Sequence, residues 1–427
     1  MITVVGAGTG TGLPGPAREA LAGATLVVGA ARHLAAAELP PATERIALGP
    51  LAPALDAIGA RLATREPGRV VVLASGDPGF FGIVRALSER FGPERLDVHP
   101  ASASVAVAFA RLGLAWDDAV VVSAHGRALR TAVNVCRAHP KTAVLTGPGA
   151  GPAELGQALA RTGLPRTLVV AGALGTPDEY VQHLTPAEAA GRDWPPGMVS
   201  VVVCLDERRL ASSLRTVAGS PPAPARWALP EEEFEHRDSM VTKYEVRALA
   251  LARLGPRTGE LVWDIGAGSG SVAVECARFG AASVAVEKTP DGVERIRANA
   301  AAHGVDVETV HGTAPDVLPE LPDPDAVFIG GGGRDLPAIV AACARRTRRT
   351  VVVTVAALDR VPTVRAALTE AGLRVEGALI QSSRLSPLPG DVTRLAAANP
   401  VFVLWGTRAT AGGSAGDALD SHEGASQ

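Results

Sequence analysis

The chain has 427 residues, 47% of them apolar and only 4% aromatic, with 41 Lys and Arg against 44 Asp and Glu for a formal charge of −3. That length exceeds one ordinary domain and suits two or three, with cores built mainly from Val, Leu, Ile and Ala. The slightly acidic balance speaks against a protein whose affinity rests on neutralising nucleic-acid phosphates, and no apolar run reaches the length of a membrane span.

Met1-Ile2-Thr3-Val4-Val5 reads as a first strand and not as a leader peptide. Further strand candidates lie at 25–28, 70–73, 120–123, 142–145, 167–170 and 199–204, separated by helical stretches such as 52–65, 81–91 and 153–161. Strands alternating with helices in this way predict an α/β fold with mostly parallel sheet. From about Ala211 the pattern dissolves into Gly219-Ser220-Pro221-Pro222-Ala223-Pro224, a connector that continues neither helix nor central strand. A fresh alternation then runs from a helix at 243–254 through strands at 261–264, 283–286, 307–310, 326–329 and 350–355, closing with a pair at 374–381 and 401–405. The expected domains are 1–210 and 230–408, joined by a Pro-rich linker at 211–229 and followed by a disordered Gly/Ser/Ala tail at 409–427. Cys136, Cys204, Cys276 and Cys343 stand far apart in apolar contexts, which predicts buried free thiols in a reducing compartment, hence a cytoplasmic protein with no metal site.

Two glycine turns carry the functional signal. In the second half, Val262-Trp263-Asp264-Ile265-Gly266-Ala267-Gly268-Ser269-Gly270-Ser271 is an apolar strand, a turn and a helix start. Glycines there admit positive φ and close approach of a ligand, and the helix start offers free N–H groups. A dinucleotide fingerprint needs a glycine where Ser271 stands, so a nicotinamide enzyme fails on spacing. An acidic residue before G-x-G-x-G, with Glu287 ending the next strand where it can accept ribose hydroxyls, fits the first motif of Rossmann-like methyltransferases. Thr242 reads either as a ligand contact or as a helix N-cap completed by Glu245, and Gly330 to Gly333 either as a strand end or as a close approach to a ligand.

In the first half, Gly6-Ala7-Gly8-Thr9-Gly10 tempts the same reading, but Pro14 and Pro16 interrupt the expected helix and no acidic residue ends the second strand. The stronger motif is Leu73-Ala74-Ser75-Gly76-Asp77-Pro78-Gly79-Phe80-Phe81-Gly82, a strand running into a turn that presents a carboxylate at a strand's carboxyl end. His125 reads as a loop residue bonded to backbone in preference to a general base. Arg127 and Arg130 suit substrate carboxylates.

These motifs carry two resemblances. Residues 236–247 and 263–275, with Gly312-Thr313-Ala314-Pro315, Asp323-Pro324-Asp325-Ala326-Val327-Phe328-Ile329-Gly330 and Ala398-Asn399-Pro400, resemble the decarboxylating precorrin methyltransferase module of cobalamin biosynthesis. The Gly76-Asp77-Pro78 turn, with Pro100-Ala101-Ser102-Ala103-Ser104-Val105, Ser123-Ala124-His125-Gly126-Arg127 and Gly175-Thr176-Pro177-Asp178-Glu179, resembles the tetrapyrrole methylase family. The resemblances imply a first half of two α/β subdomains fused to a Rossmann-like methyltransferase domain with mostly parallel sheet. They imply S-adenosyl-L-methionine as methyl donor, two per turnover, held by Gly76, Asp77, Pro78, Ala103 and Ser104 in the first half. In the second half Thr242, Asp264, Gly266, Ala267, Gly268, Ser269, Gly270, Glu287 and Ala314 would line the site. Ala101 and Ala103 depart from the family's usual glycine and threonine, so no hydroxyl is available at Ala103. The order of the halves resembles fused enzymes that methylate two meso carbons of a precorrin, C5 and C15, and remove the C12 acetate carboxyl. The implied partner is a small-molecule tetrapyrrole, with no nucleic acid and no membrane, in a homo-oligomer, a tetramer built through the second half. One active half beside a degenerate partner, or an RNA-modifying enzyme, are the competing readings, and the sequence singles out no catalytic residue.

Overall fold

The computed structural model describes residues 1–8, 12–64, 68–195, 200–210, 218–219, 226–237 and 241–409. Most of the expected linker, Thr9 and Gly10 of the first glycine string, Asp238 to Met240 and the tail from 410 onward lie outside the described residues. The chain divides into two units, Met1–Pro222 and Ala223–Gln427.

In the first unit β1 (Ile2–Gly6), β2 (Ala24–Gly29), β3 (Glu44–Ala47), β4 (Arg69–Ala74) and β5 (Leu96–His99) form an all-parallel sheet in the order β3-β2-β4-β1-β5. Both faces are covered, as parallel strands require. Ile2, Val4, Leu26, Val28, Val70 and Val72 pack against Ala54, Ile58 and Leu87 of two helices. The alternate residues Val5, Val27, Val71 and Leu73 meet Ala17, Leu21 and Leu34 on the other side. The helix Gly15–Ala22 begins where the prolines stand: Pro16 occupies its first turn, where the missing N–H costs nothing, so the prolines start this helix instead of interrupting it.

A second sheet joins β6 (Val120–Ser123), β7 (Lys141–Leu145), β8 (Thr167–Gly172), β9 (Tyr180–Leu184) and β10 (Ser200–Leu205) in the order β6-β7-β10-β8-β9. Only β6 and β7 pair in parallel, which corrects the parallel expectation for this part of the chain. The helix Pro152–Ala160 does return β8 parallel to β7, but the last strand, β10, inserts antiparallel between them. A period of two shows that a strand exists and is silent about its partner. Val105, Ala108 and Phe109 of the helix Ser104–Leu112 seat that helix on this second sheet, while its N-terminus stands at the edge of the first.

The second unit is built on β11 (Leu261–Ile265), β12 (Ala282–Glu287), β13 (Glu308–His311), β14 (Ala326–Ile329), β15 (Thr350–Val355), β16 (Arg374–Ile380) and, after an isolated hairpin of β17 (Ser383–Leu388) and β18 (Val392–Ala397), β19 (Val401–Thr407). The sheet order is β13-β12-β11-β14-β15-β19-β16, parallel except that β19 inserts antiparallel to its neighbours β15 and β16. This is a Rossmann-like sheet. Trp263, Ile265, Val327, Ile329, Val351 and Val353 face the helices Leu336–Arg346 and Val361–Glu370. Val262, Phe328 and Val352 face Tyr244–Leu254 and Ser271–Arg278. All four cysteines are buried free thiols. Among the described residues no helix is long and apolar enough to cross a membrane.

Candidate active sites

The chain leaves β11 for β12 on one side and later returns to β14 on the other, so a crevice opens at the carboxyl ends of β11 and β14, where open α/β sheets bind ligands. Asp264, Gly266 to Gly270, Glu287 and Gly330 to Gly333 all stand at this edge. Gly266, Gly268 and Gly270 have φ of 70°, 57° and 71°. Three left-handed positions in five residues explain why the turn needs glycine at alternate places. The Gly330 run lies against it: Gly330 N–H donates to the Ile265 carbonyl at 3.1 Å, and a Cβ on Gly266 would come 3.4 Å from the Gly331 nitrogen. A Cβ on Gly331 would meet nothing within 4 Å.

Asp264 sits inside this turn, 1% exposed. Its Oδ2 accepts from the Ala273 N–H at 3.0 Å, while its buried Oδ1 has no hydrogen-bond partner among the described residues. Burial, reinforced by the charge of Glu287, pushes its pKa up to about 7 against the pull of the Ala273 N–H. An orphaned buried oxygen of this kind lacks a donor or a cation, and the ammonium and sulfonium of a methionine-type donor supply positive charge. The residues therefore fit the expected donor.

Glu287 is more engaged than its expected ribose role requires. Oε2 accepts from the Gly268 N–H at 3.0 Å, and Oε1 accepts from the Thr289 N–H at 3.0 Å and its hydroxyl at 2.8 Å. Of about four lone-pair directions on a carboxylate, three are taken, so Glu287 braces the glycine turn and keeps roughly one direction for a ligand. Gly292 makes room for it, since a Cβ there would lie 2.5 Å from the Glu287 Cγ. Ser269 is buried, and its carbonyl accepts from the Asn299 side chain at 2.8 Å. Asn299 also exchanges hydrogen bonds with the Glu235 backbone, tying the segment before the first helix to the glycine turn. Ala267 is half-buried beside Ala273, Ala285 and Ile296.

Thr242 stands at the end of that segment, and its carbonyl accepts from the buried Arg247 at 2.5 Å. The helix starts one residue late for the capping box: Lys243 is the N-cap, no side chain caps it, and Glu245 instead pairs with Arg384 of the β17–β18 hairpin. Arg384 also grips Glu231. Burial alone would raise that carboxyl's pKa, but hydrogen bonds from Arg384 and the Tyr244 N–H bring it down to about 2. The side chain of Ala314 packs in the apolar core with Leu318 and Leu321, so what it offers a ligand comes from its backbone.

The first unit gathers its expected residues at the carboxyl edge of β1, β4 and β5. Gly76 has φ 58°, and a Cβ there would stand 3.6 Å from the Ser104 N–H and 3.8 Å from the Ala103 Cα. Gly6 allows this convergence, since a Cβ on it would come 2.8 Å from both the Gly76 carbonyl and the Ala101 Cβ. Ser104 opens its helix behind Ala103, with no side-chain cap. Asp77 turns its carboxylate back on its own loop: Oδ1 accepts from the Gly79 and Phe80 N–H groups at 2.8 and 3.0 Å. Pro78 is buried beside it, and its carbonyl accepts from the Val84 N–H at 3.2 Å. The expected helix at 81–91 therefore starts only at Val84, because this closed turn holds Phe81 at φ 54°.

His125 donates from Nδ1 toward the Thr146 carbonyl at 3.3 Å and packs on Gly147, which fits the loop reading. The Gly175 to Glu179 motif closes on itself, the Gly175 N–H donating to a Glu179 carboxylate that pairs with Arg111. Sequence reasoning missed a cluster beside the turn. The Ser75 hydroxyl accepts from Arg32 at 2.7 Å and lies 2.8 Å from His33 Nε2, whose pKa is lowered by burial and then by Arg32. Asn299 was missed as well. Its only trace in the sequence is its place on the helix face shared with Ile296 and Ala300.

Residues 1–190 match the model of the tetrapyrrole (corrin/porphyrin) methylases, and residues 232–408 match that of the precorrin methyltransferase domain. A precorrin-6Y C(5,15)-methyltransferase [decarboxylating] of Sinorhizobium sp is 38% identical over 342 residues, covering 78% of this chain and 79% of the relative. A probable cobalt-precorrin-6B C(15)-methyltransferase (decarboxylating) of Pyrobaculum calidifontis is 38% identical over 41% of this chain and 93% of its own. A cobalt-precorrin-7 C(5)-methyltransferase of Salmonella typhimurium is 35% identical over 49% of this chain and 100% of its own.

Proposed function

The chain belongs to the family of decarboxylating precorrin-6Y C(5,15)-methyltransferases, S-adenosylmethionine-dependent C-methyltransferases, and on that premise we propose that it methylates precorrin-6Y at C5 and C15 and removes the C12 acetate carboxyl, giving precorrin-8X in cobalamin biosynthesis. Two methyl groups enter, two donors are spent and one carbon dioxide leaves. The observation that carries the reading is the pair of separate strand-end glycine turns, one in each unit, each with an acidic side chain at its base. The first unit takes the C5 methylation, and the second takes the C15 methylation with decarboxylation. Separate relatives named for C(5) and for C(15) with decarboxylation, each matching less than half of this chain, support that division. The C(15) relative is named for a cobalt-precorrin numbered 6B and the C(5) relative for one numbered 7, which supports C15 first.

The donor supplies an electrophilic methyl on a sulfonium, and the reduced tetrapyrrole supplies an electron-rich meso carbon. The chain's task is orientation. Held carbon and methyl in line gain several orders of magnitude in rate. In the second unit Asp264 and Gly266 to Gly270 would hold the methionine portion, Ser269 and Asn299 keep the turn in place, and Glu287 would accept a ribose hydroxyl with its remaining lone pair. Thr242 and the backbone of Ala314 border the same site. In the first unit Gly76, Pro78, Ala103 and Ser104 form the cradle, and Asp77 fixes its shape. On decarboxylation the electron pair of the broken carbon–carbon bond would pass into the conjugated macrocycle, and the acetate carbon would take up a proton to become a methyl. Incubating the purified protein with precorrin-6Y and labelled donor, then weighing the product, tests the reading. A product lacking either the second methyl or the loss of carbon dioxide would overturn it.

Residues 1–210 and 230–408 act as separate domains on either side of the 211–229 linker, in a cytoplasmic protein; expressed alone, each should be soluble and bind the donor. Insolubility of both fragments beside a soluble parent would refute this boundary. The second half self-associates, as a tetramer. The surface that supports this is the β17–β18 hairpin, which exposes Leu385 and Leu395 by 78% and 67%. Leu385→Asp with Leu395→Asp should lower the mass seen by sedimentation, and an unchanged mass would refute that surface.

A further inference from the structure

A cavity of about 330 Å³ lies beside the Gly76 turn, walled by Phe81 on one side and by Val121, Val122, Ser123 and Arg127 on the other. It stands at the lower end of the volumes that hold small ligands. Phe81 is its unusual feature. A bulky side chain at φ 54° occupies a backbone region that non-glycine residues rarely adopt, and here the residue is 45% exposed. Both the left-handed backbone and the exposed ring cost stability. The loop cannot relax it: Asp77 holds the Gly79 and Phe80 N–H groups, and Gly82 lies so close that a Cβ on it would come 2.2 Å from the Pro78 carbonyl. Phe80 supports the ring edge-on at 5.0 Å. Across it, the Arg127 guanidinium carbon stands 5.7 Å from the ring centroid. Strain maintained by its surroundings, beside a cavity, points to a ligand.

We propose that Phe81 and Arg127 form a clamp for one edge of the tetrapyrrole in the first unit, an inference that rests on the reading of that unit as a C5 methylase. A pyrrole ring lies against the Phe81 face, and its acetate or propionate draws Arg127 off the aromatic ring into a charge-assisted pair. The turn that places Gly76 at the donor also places Phe81 at the acceptor. Asp77 thereby couples the two positions.

The test uses the full chain and reads C5 methyl incorporation from the C15-methylated, decarboxylated tetrapyrrole. Phe81→Gly suits the backbone at φ 54°, so it removes the ring while relieving the strain, and its thermal midpoint should not fall. It should raise the KM for the tetrapyrrole by about tenfold, the scale of one aromatic contact, and leave donor affinity unchanged. Arg127→Gln should do the same, Arg127→Lys should recover part of the loss, and the double variant should lose less than the product of the single losses. An unchanged tetrapyrrole KM in Phe81→Gly overturns the clamp, as does a matching rise in the KM for the donor. If the parent protein methylates no tetrapyrrole at C5, the functional reading itself falls and the clamp with it.

Discussion

The two glycine turns contain the same residue types, yet their carboxylates do different work. Asp264 is sealed inside its turn, with one oxygen bonded to Ala273 and the other unmatched among the described residues. Asp77 is half-buried, with an oxygen that closes its own loop through Gly79 and Phe80. One acid keeps a buried oxygen free inside its turn, and the other uses an oxygen to close its own loop. An acidic residue at a strand end followed by glycines therefore does not say whether the acid meets the ligand. Its hydrogen bonds do, and they predict different responses to substitution.

The largest difference should come from blocking one turn outright. Gly268 has φ 57°, and its N–H is held by Glu287. Gly268→Arg forces a long side chain onto a left-handed backbone, a strain of about 1–2 kcal/mol before any clash with the donor. With precorrin-6Y and excess donor this variant should add at most one methyl and release no carbon dioxide, as read by mass spectrometry. Continued decarboxylation would reverse the assignment of chemistry to the halves.

Next in size is the proton on Asp264. Its pKa stands at about 7 in the fold against 3.8 for an ordinary aspartate, so between those values the folded chain holds a proton that the unfolded chain has lost. The stability this group contributes is therefore complete below about pH 4 and disappears as pH rises through about 7. Asp264→Asn keeps the acceptor for Ala273 and removes the titration, so its stability relative to the parent should improve from pH 5 to about pH 7 and level off above it in urea melts. A parallel pair of curves would mean that Asp264 does not titrate in this window. Donor binding, by bringing a cation, should release a proton near neutral pH, which calorimetry in buffers of different ionisation enthalpy detects. Glu287→Ala should weaken donor binding by about 1–3 kcal/mol, the scale of a hydrogen bond to a charged group plus a loosened brace. Unchanged affinity would remove Glu287 from the site.

The sequence makes the second turn legible because its signals are backbone requirements: positive φ at three places demands Gly266, Gly268 and Gly270, and apolar alternation marks the strand before them. What it hides depends on partners distant in the chain. Nothing local says that β10 inserts between β7 and β8, or that Asn299 reaches the Ser269 carbonyl 30 positions away. Phe81 reads as the first residue of a helix because apolar residues follow at helical spacing, and only the bonds from Asp77 show that it is held out of it. The β17–β18 hairpin escapes notice because its strands include Pro387 and a largely exposed face, so neither burial nor periodicity marks them.

The smallest effect is the one that most sharpens the comparison, because it asks whether Asp77 acts through its charge or through its shape. The oxygen that accepts from Gly79 and Phe80 exists equally in asparagine, whose amide closes the same kind of turn. Asp77→Asn should therefore keep C5 methylation within about threefold of the parent, less than 1 kcal/mol, in keeping with a retained neutral hydrogen bond. Asp77→Ala removes both acceptances, frees Phe81 to leave its left-handed conformation, and should cost about tenfold or more in tetrapyrrole KM. Decarboxylation by the other unit should be the same in both variants. Equal losses in the asparagine and alanine variants would show that the negative charge itself meets the donor, and the two turns would then work alike after all. A mild asparagine variant beside a damaged alanine variant leaves Asp264 as the acid that faces the ligand, and Asp77 as the residue that builds the wall around it.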